Sequence, residues 1–197
     1  MAAEETPDPE SLGCDDDLPL TQAAIEFASE RHAGQRRRAD EAPFLLHPIE
    51  AGGILERSGY PDHVIAAGVL HDVLEDTEAK RSDLEEQFGP EIAELVATVS
   101  DDPSIADTEA QKDDVRERVR QAGGPAQAVY AADKISKVRE LRLMMDRGVG
   151  GDAVAIKRER YRKSLAMLED EIPESELVEI LRLELETLPP EAQAEGA

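Results

Sequence analysis

Apolar residues recur with helical spacing in almost every segment between residues 18 and 188, and no segment shows the apolar–polar alternation of a half-buried strand. Aromatic residues make up only 3% of the chain and tryptophan is absent, so a core must be built from alanine, leucine, valine and isoleucine. Small and aliphatic side chains of this kind suit packed helices better than a β-sandwich. The sequence therefore predicts an all-α fold in the form of a single helical bundle.

Turn signals divide this region into separate helices. Residues 58–62 (SGYPD) are typical of a turn, and Asp62 is expected to cap the helix that begins there. Gly89 and Pro90 are expected to end a short helix, whereas residues 100–112 are polar and predicted to be a loop. The predicted helices cover residues 20–32, 43–55, 62–76, 82–88, 91–99, 126–145, 153–168 and 175–188.

The two ends of the chain differ from this region. Residues 1–17 are rich in aspartate, glutamate and proline, and residues 189–197 are similar, so both are predicted to be disordered tails around one domain at residues 18–188. The one cysteine, Cys14, lies in the first tail, which argues against disulfides and cysteine metal sites. The N-terminus lacks the pattern of a signal peptide, and no apolar run approaches the roughly 20 residues of a membrane span. A cytoplasmic protein without a membrane partner is expected.

The charge of the chain limits its partners. There are 45 acidic and 22 basic residues, which give a formal net charge of −23. Repulsion by this charge disfavours nucleic acid as a partner. Most of the acidic residues are expected to form a solvated surface, and a salt-adapted source would also produce such a composition. An anionic small molecule would need a local cationic patch or a metal ion in order to bind.

The most informative stretch is residues 67–77 (AGVLHDVLEDT). On one continuous helix, His71 and Glu75 would lie one turn apart, as would Asp72 and Asp76, and Gly68 would leave open space beneath this polar face. Three carboxylates and an imidazole on one face would repel one another unless a cation lay among them. The alternative is an exposed acidic helix face with an incidental histidine, and the His-Asp dipeptide alone does not exclude it.

Two further residues favour the metal interpretation. His47 follows apolar residues near the start of a predicted helix. Asp133 is a charged residue in a helical turn whose other residues are mostly small or apolar. A buried aspartate is costly unless it meets a metal or a cationic partner. Imidazole together with carboxylate suits Mn²⁺, Fe²⁺ or Zn²⁺.

The order of these residues carries a family resemblance. His47, then His71-Asp72, then Asp133 resembles the HD-domain phosphohydrolases. Longer segments agree, and they are residues 31–37 (RHAGQRR), 43–49 (PFLLHPI), 67–77 (AGVLHDVLEDT), 88–89 (FG), 99–102 (VSDD) and 132–135 (ADKI). They resemble the hydrolase domain of RelA/SpoT-type proteins, and most of all the small alarmone hydrolases of the MESH1 type. The resemblance extends from about residue 20 to residue 188.

The resemblance implies a 3′-pyrophosphohydrolase that acts on guanosine tetra- or pentaphosphate, a small-molecule nucleotide, with Mn²⁺ or another divalent metal. It implies four metal ligands: His47, His71, Asp72 and Asp133. It also implies that Glu75 and Asp76 activate the attacking water. It also matches Arg37 to the arginine that lies against the guanine base, and Lys134 to the usual basic residue after the metal-binding aspartate, so both are expected to contact the substrate. Lys137 is expected to reach the substrate phosphates because it lies one helical turn after Asp133.

Two departures from the family pattern leave alternatives open. The family usually has asparagine four residues after the metal-binding aspartate, where this chain has Lys137, and a tyrosine where this chain has Phe44. The first departure allows an HD-domain hydrolase for a different nucleotide or phosphate ester. A regulatory domain that binds a nucleotide without turnover is a third hypothesis, which the presence of Glu75 and Asp76 disfavours. The oligomeric state stays open.

Overall fold

The computed structural model describes residues 18–190, and this part of the chain is all-α, as predicted. Its helices are α1 (Pro19–Arg31), α2 (Leu46–Arg57), α3 (Asp62–Leu70), α4 (Val73–Asp76), α5 (Arg81–Val99), α6 (Thr108–Ala122), α7 (Gly124–Asp146), α8 (Asp152–Glu171) and α9 (Glu176–Glu186). The β structure in residues 18–190 is limited to an isolated antiparallel bridge between Arg36 and Pro43. None of these helices has both the length and the hydropathy that a membrane span requires.

The predicted tails lie largely outside the described part of the chain, at residues 1–17 and 191–197, and Cys14 lies there with them. Residues 189 and 190 are described. The carbonyl oxygen of Pro189 accepts a hydrogen bond from Arg158 Nη2. Packing contacts of the domain therefore extend one residue beyond the predicted boundary at Leu188.

Two helices form the centre of the bundle. Every residue of α3 from Val64 to Leu70 is buried, since this helix packs against α1, α2, α5 and α7. The first half of α7, residues 126–136, is also buried throughout, and α7 packs against α2, α3, α5, α6, α8 and α9. Polar residues at the end of α3 and in the middle of α7 are thus held in the interior by apolar neighbours. Such residues are costly there unless they are paired or bind an ion.

The carboxylate of Asp62 caps a different helix from the predicted one. Its oxygens accept hydrogen bonds from the backbone N–H groups of Leu20 and Thr21, both at 2.9 Å, and from Thr21 Oγ1 at 2.7 Å. These N–H groups belong to the first turn of α1, where no intrahelical acceptor is available. The prediction that Asp62 caps its own helix is therefore wrong. The residue instead joins the start of α1 to the start of α3.

Between residues 81 and 122 the structure contains the predicted helix break, but it has a shorter loop than the one predicted. Gly89 has φ of 83° and ψ of 166°, so α5 is sharply kinked at the position where a break was predicted. The loop predicted at residues 100–112 is too long, because α6 begins at Thr108. The Asp107 carboxylate accepts a hydrogen bond from Ala110 N at 2.8 Å and caps this helix.

Two glycines allow α2 and α3 to approach closely. A Cβ atom built on Gly52 would lie 2.6 Å from Val69 Cγ2, and one built on Gly68 would lie 2.4 Å from Leu55 Cδ1. The expectation of open space beside Gly68 is therefore wrong, because its surroundings are filled by α2. This contact fixes the distance between the helix that carries His47 and the helix that leads to His71.

Gly52→Ala is expected to destabilise the protein by about 1–3 kcal/mol, because the valine side chain it would meet has little rotamer freedom. Gly53→Ala is the matched control. A Cβ there would meet only the flexible Arg57 Nη1 at 3.3 Å, so the gain in helix propensity should stabilise by up to about 1 kcal/mol. Urea unfolding of both variants measures the difference. Equal stability of the two variants would show that the α2–α3 contact tolerates a methyl group.

Candidate functional site

The predicted helix over residues 62–76 is interrupted where the His71-Asp72 pair lies. Helix α3 ends at Leu70, His71 and Asp72 form a turn, and α4 begins at Val73. Both residues keep right-handed helical dihedral angles, with φ/ψ of −57°/−32° at His71 and −94°/−5° at Asp72, so the interruption is slight. His71 and Asp72 are buried, at 3% and 2% exposed, whereas Glu75 and Asp76 are exposed. The predicted helix is therefore not continuous, and its four polar residues divide into a buried pair and an exposed pair.

The structure brings the four predicted metal ligands together. His47 Nε2 lies 3.0 Å from His71 Nε2, and Asp72 Oδ2 lies 3.2 Å from both of these nitrogens. Asp133 Oδ1 lies 3.2 Å from His47 Nε2 and 3.3 Å from His71 Nε2. These four atoms, which we call the ligand cluster, come from α2, the α3–α4 turn and α7.

The hydrogen bond at the far side of the His71 ring orients this cluster. His71 Nδ1 lies 2.7 Å from the carbonyl oxygen of Gly68, which can only accept, so Nδ1 carries a proton and donates it. In the neutral ring Nε2 then presents a lone pair to the cluster. A second hydrogen bond of this kind is the usual way in which a protein fixes the tautomer of a metal-binding histidine.

The cluster has the donor set and the electrostatics of a cation site. Asp72 Oδ2 and Asp133 Oδ1 are buried, and neither accepts a well-aligned hydrogen bond from residues 18–190. Burial lowers the pKa of His71, but the Asp72 and Asp133 carboxylates outweigh burial and raise that pKa to about 10. The carboxylates thus attract a positive charge to this position. His47, His71 and Asp133 can each offer one ligand atom within 4.8 Å of the others, so a divalent metal fits among them.

Two lysines flank Asp133. Lys134 is 9% exposed, and its Nζ lies 2.5 Å from Asp133 Oδ2 and 4.3 Å from the centre of the Tyr130 ring. Lys137 Nζ lies 2.9 Å from Asp133 Oδ1 and 3.5 Å from Asp72 Oδ1. Burial would raise the pKa of Asp133, but the two ammonium groups hold it well below its usual range. Lys134 thus faces the interior, whereas Lys137 lies between the cluster and solvent.

Glu75 and Asp76 lie on the outer side of the cluster, at the end of α4. Both side chains are exposed, and Glu75 Oε1 accepts a hydrogen bond from Asp101 N at 2.9 Å. Partial desolvation raises the pKa of Glu75, and the Asp72 carboxylate raises it further against the effect of Lys137. Desolvation and Asp72 also raise the pKa of Asp76. Both carboxylates are therefore more basic than ordinary surface carboxylates.

An open cleft of about 700 Å³ adjoins these two carboxylates. Its lining is Glu30, Arg31, Gln35, Glu75, Asp76, Thr77 and Glu78. With four carboxylates and one guanidinium, this surface disfavours a phosphate group. Compensating positive charge has to come from Lys137 and from a cation in the ligand cluster.

A side-chain bridge that the sequence did not indicate holds Asp76. His32 Nδ1 lies 2.8 Å from Gln35 Oε1, and Gln35 Nε2 donates to the backbone oxygen of Asp76 at 2.7 Å. His32 thus supports Asp76 through Gln35 and makes no contact with the ligand cluster in these hydrogen bonds. The only signal in the sequence is the spacing of His32 and Gln35 beside a glycine.

Arg37 lies apart from the ligand cluster in the contacts that the structure describes. Its guanidinium pairs with the Asp40 carboxylate, which also accepts from Ala42 N at 3.1 Å. Phe44 lies in the same segment between α1 and α2 and packs beside the cluster, since its ring centre is 5.9 Å from that of His47. Contact between Arg37 and a substrate stays a prediction.

Comparison with known proteins agrees with this geometry. The HD domain matches residues 24–144 of this chain. Over 120 residues the chain is 36% identical to the guanosine-3′,5′-bis(diphosphate) 3′-pyrophosphohydrolase MESH1 of Danio rerio, across 59% of this chain and 66% of that protein. The Drosophila melanogaster protein of the same name is 34% identical over 122 residues, across 60% of this chain and 68% of its own. The matches thus span about two thirds of these relatives.

The fold is also similar to a solved structure over a longer range. A metazoan orthologue of SpoT, described as hydrolysing ppGpp, aligns with 84% of this chain and 95% of its own, with a TM-score of 0.73 and 29% identity. The likeness therefore includes helices beyond the matched domain. The chain belongs to the HD-domain family, and within it to the group that contains the MESH1-type and SpoT-type proteins.

Proposed function

We propose that this chain is a Mn²⁺-dependent hydrolase that removes the 3′-pyrophosphate of guanosine tetra- or pentaphosphate (ppGpp or pppGpp). The observation that carries the proposal is the convergence of His47, His71, Asp72 and Asp133 beside two exposed carboxylates of raised pKa. The names of the MESH1 relatives and of the SpoT orthologue support the choice of substrate. Manganese, rather than another divalent ion, and a cytoplasmic location are parts of the proposal.

The proposed reaction needs a base, a positioned substrate and a cation. When bound, a divalent cation acts as a Lewis acid that polarises phosphoryl oxygens and favours deprotonation of water. Glu75 or Asp76 accepts the proton of the attacking water, and the raised pKa of each makes it a stronger base than an ordinary surface carboxylate. Lys134 holds Asp133 in position through its 2.5 Å contact. Lys137 is available to the phosphates because it lies at the solvent side of the cluster.

The test is a panel of nucleotides incubated with purified protein and Mn²⁺, with released phosphate and pyrophosphate measured separately. We expect ppGpp to give GDP and pyrophosphate in equal amounts, and removal of the metal by a chelator to stop the reaction. Release of single phosphates, or turnover of other nucleotides in preference to ppGpp, would favour the second candidate, a hydrolase for another phosphate ester. Lys137 favours that candidate, since it introduces a charge where the family has an amide. Tight binding of ppGpp with no product would contradict hydrolysis.

Lys137→Ala is expected to raise KM for ppGpp about 10- to 100-fold, because a charge-assisted contact to phosphate is worth about 1.5–3 kcal/mol. Salt should weaken substrate binding less in this variant than in the wild type. Lys137→Asn should move preference towards ppGpp, because it restores the family residue. The assays require saturating Mn²⁺, since loss of the ammonium beside Asp133 also changes metal affinity. Unchanged kinetics of both variants across the panel would show that Lys137 does not contact substrate.

A further inference from the structure

We propose that Glu50 and Ser136 are positioning residues, which hold the His47 imidazole in the one tautomer that can bind a metal ion. The inference rests on the proposed metal-dependent function and adds two residues that neither bind the ion nor touch the substrate. His47 Nδ1, on the side of the ring that faces away from the ligand cluster, makes a hydrogen bond with Ser136.

The donors and acceptors in this network have a single consistent assignment. Ser136 Oγ lies 2.7 Å from Glu50 Oε2 and 2.8 Å from His47 Nδ1. A carboxylate can only accept, so the one hydroxyl proton of Ser136 is directed to Glu50. Ser136 Oγ must then accept from His47, which places a proton on Nδ1. His47 Nε2 is left with a lone pair that faces the ligand cluster.

The other carboxylate oxygen of Glu50 has a cationic partner. Arg139 Nη1 lies 3.0 Å from Glu50 Oε1, and Arg139 Nε lies 2.6 Å from Glu184 Oε1. One carboxylate oxygen of Glu50 therefore meets the guanidinium and the other meets Ser136. The network links α2, α7 and α9, and a charged acceptor at its centre strengthens the hydrogen bond from the hydroxyl.

The spacing of these residues explains why the network can form. His47 and Glu50 are three residues apart on α2, and Ser136 and Arg139 are three residues apart on α7, so each pair shares one helix face. The two faces meet where α2 packs against α7. Asp133 lies on the same helix, three residues before Ser136. The ligand and the positioning hydroxyl are thus fixed by one rigid element.

The two histidines of the cluster differ in how their tautomers are fixed. His71 Nδ1 donates to a backbone carbonyl, which no substitution removes, whereas His47 Nδ1 depends on a side chain. Without Ser136 the His47 proton can move to Nε2, where Asp72 and Asp133 offer acceptors at 3.2 Å. A proton in that position would compete directly with a metal ion.

A matched control distinguishes an effect of Ser136 on metal binding from an effect on stability alone. Ser164 is also 1% exposed, and its Oγ makes a 2.8 Å hydrogen bond with Tyr130 OH in the same core. Ser164→Ala removes a buried hydroxyl of the same size from the α7–α8 contact, and the hydrogen bonds of Ser164 go to Tyr130 and Arg160 rather than to a ligand residue. Both substitutions leave one buried polar partner unsatisfied, so both should lower the unfolding temperature.

The experiment measures the Mn²⁺ dissociation constant of the full chain by titration calorimetry, without substrate, together with the unfolding temperature of the metal-free protein. Ser136→Ala should bind Mn²⁺ about 10- to 100-fold more weakly, as other substitutions behind metal-binding histidines do. Ser136→Thr keeps the hydroxyl and should restore most of the affinity. Ser164→Ala should bind Mn²⁺ as the wild type does, whatever its stability.

Glu50→Leu provides a second variant in case Ser136→Ala does not fold. The Glu50 side chain is 30% exposed, so the substitution should be tolerated, and the freed Ser136 hydroxyl could then donate to His47 Nδ1 and favour the wrong tautomer. Weaker Mn²⁺ binding is expected. The inference would be overturned if Ser136→Ala bound Mn²⁺ with wild-type affinity, or if Glu50→Leu did so when Ser136→Ala does not fold. An equal loss of Mn²⁺ affinity in Ser164→Ala would also overturn it. A wild-type protein that binds no Mn²⁺ would instead overturn the proposed function, and the inference with it.

Discussion

Replacing His71 or Asp133 with alanine is expected to remove the bound Mn²⁺ and the hydrolytic activity together. The two residues are distant in sequence, yet their ligand atoms lie 3.3 Å apart. Each substitution deletes a donor whose place no neighbouring side chain can take. Because a metal ion contributes several kcal/mol to such a reaction, activity should fall by about 10³-fold or more.

The measurement is metal content by elemental analysis beside the rate of pyrophosphate release. His63→Ala is the control, since His63 lies beside Glu91 at 3.7 Å, is partly exposed, and belongs to no contact of the ligand cluster. The wild type and this control should retain about one ion per chain, as a site built from a single cluster of ligands should. If the metal content stayed the same in both His71→Ala and Asp133→Ala, the assignment of ligands would be wrong.

The two variants should differ in the stability of the metal-free protein. Asp133→Ala leaves the ammonium groups of Lys134 and Lys137 without their nearest carboxylate, and uncompensated buried charge costs about 3–5 kcal/mol. His71→Ala removes the ring that lies beside both carboxylates, but Lys137 still lies 2.9 Å from Asp133 and 3.5 Å from Asp72. The aspartate variant should therefore have the lower unfolding temperature.

The helical architecture was predictable because its signals are local. Periodic apolar residues indicated the helices, and Gly89-Pro90 indicated the kink of α5, where Gly89 has φ of 83°. A glycine followed by proline interrupts a helix whatever surrounds it. The positions of such breaks can be predicted without knowledge of the tertiary fold.

The errors arose where residues distant in sequence determine local structure. Helix α3 ends at Leu70, next to the point where His71 and Asp72 meet His47 and Asp133 in the interior, and these contacts are absent from local helix preferences. Asp62 caps α1 because the start of that helix packs beside it, 42 residues away in the chain. The crowding around Gly68 depends in the same way on the approach of α2.

The candidate metal ligands could be identified from the sequence, but the residues that support them could not. Histidines and aspartates have a distinctive chemistry, so His47, the His71-Asp72 pair and Asp133 could be singled out. Glu50 and Ser136 are ordinary residues in an acidic chain, and they meet across 86 positions of sequence. Their relation to His47 becomes visible only when the α2–α7 contact is known.

Glu75→Gln is expected to keep the metal and to lower kcat about 10²- to 10⁴-fold, the usual effect of losing a general base. Glutamine preserves the size of the side chain and can still accept the hydrogen bond from Asp101 N, so the loop should stay in position. Glu75 belongs to none of the contacts among the four ligand atoms. Glu78→Gln is the matched control, because Glu78 lines the same cleft and its substitution removes the same charge.

The pH dependence of kcat distinguishes loss of a base from loss of a charge. In the wild type, kcat should fall as acid protonates Glu75, and the fall should begin above the ordinary pKa range of glutamate because desolvation raises this pKa. Glu75→Gln should lack this acidic limb, whereas Glu78→Gln should retain it. Unchanged turnover in Glu75→Gln at saturating Mn²⁺ would exclude Glu75 as the base. Asp76, whose pKa is also raised and whose backbone is anchored by Gln35, would then be the residue to test by Asp76→Asn.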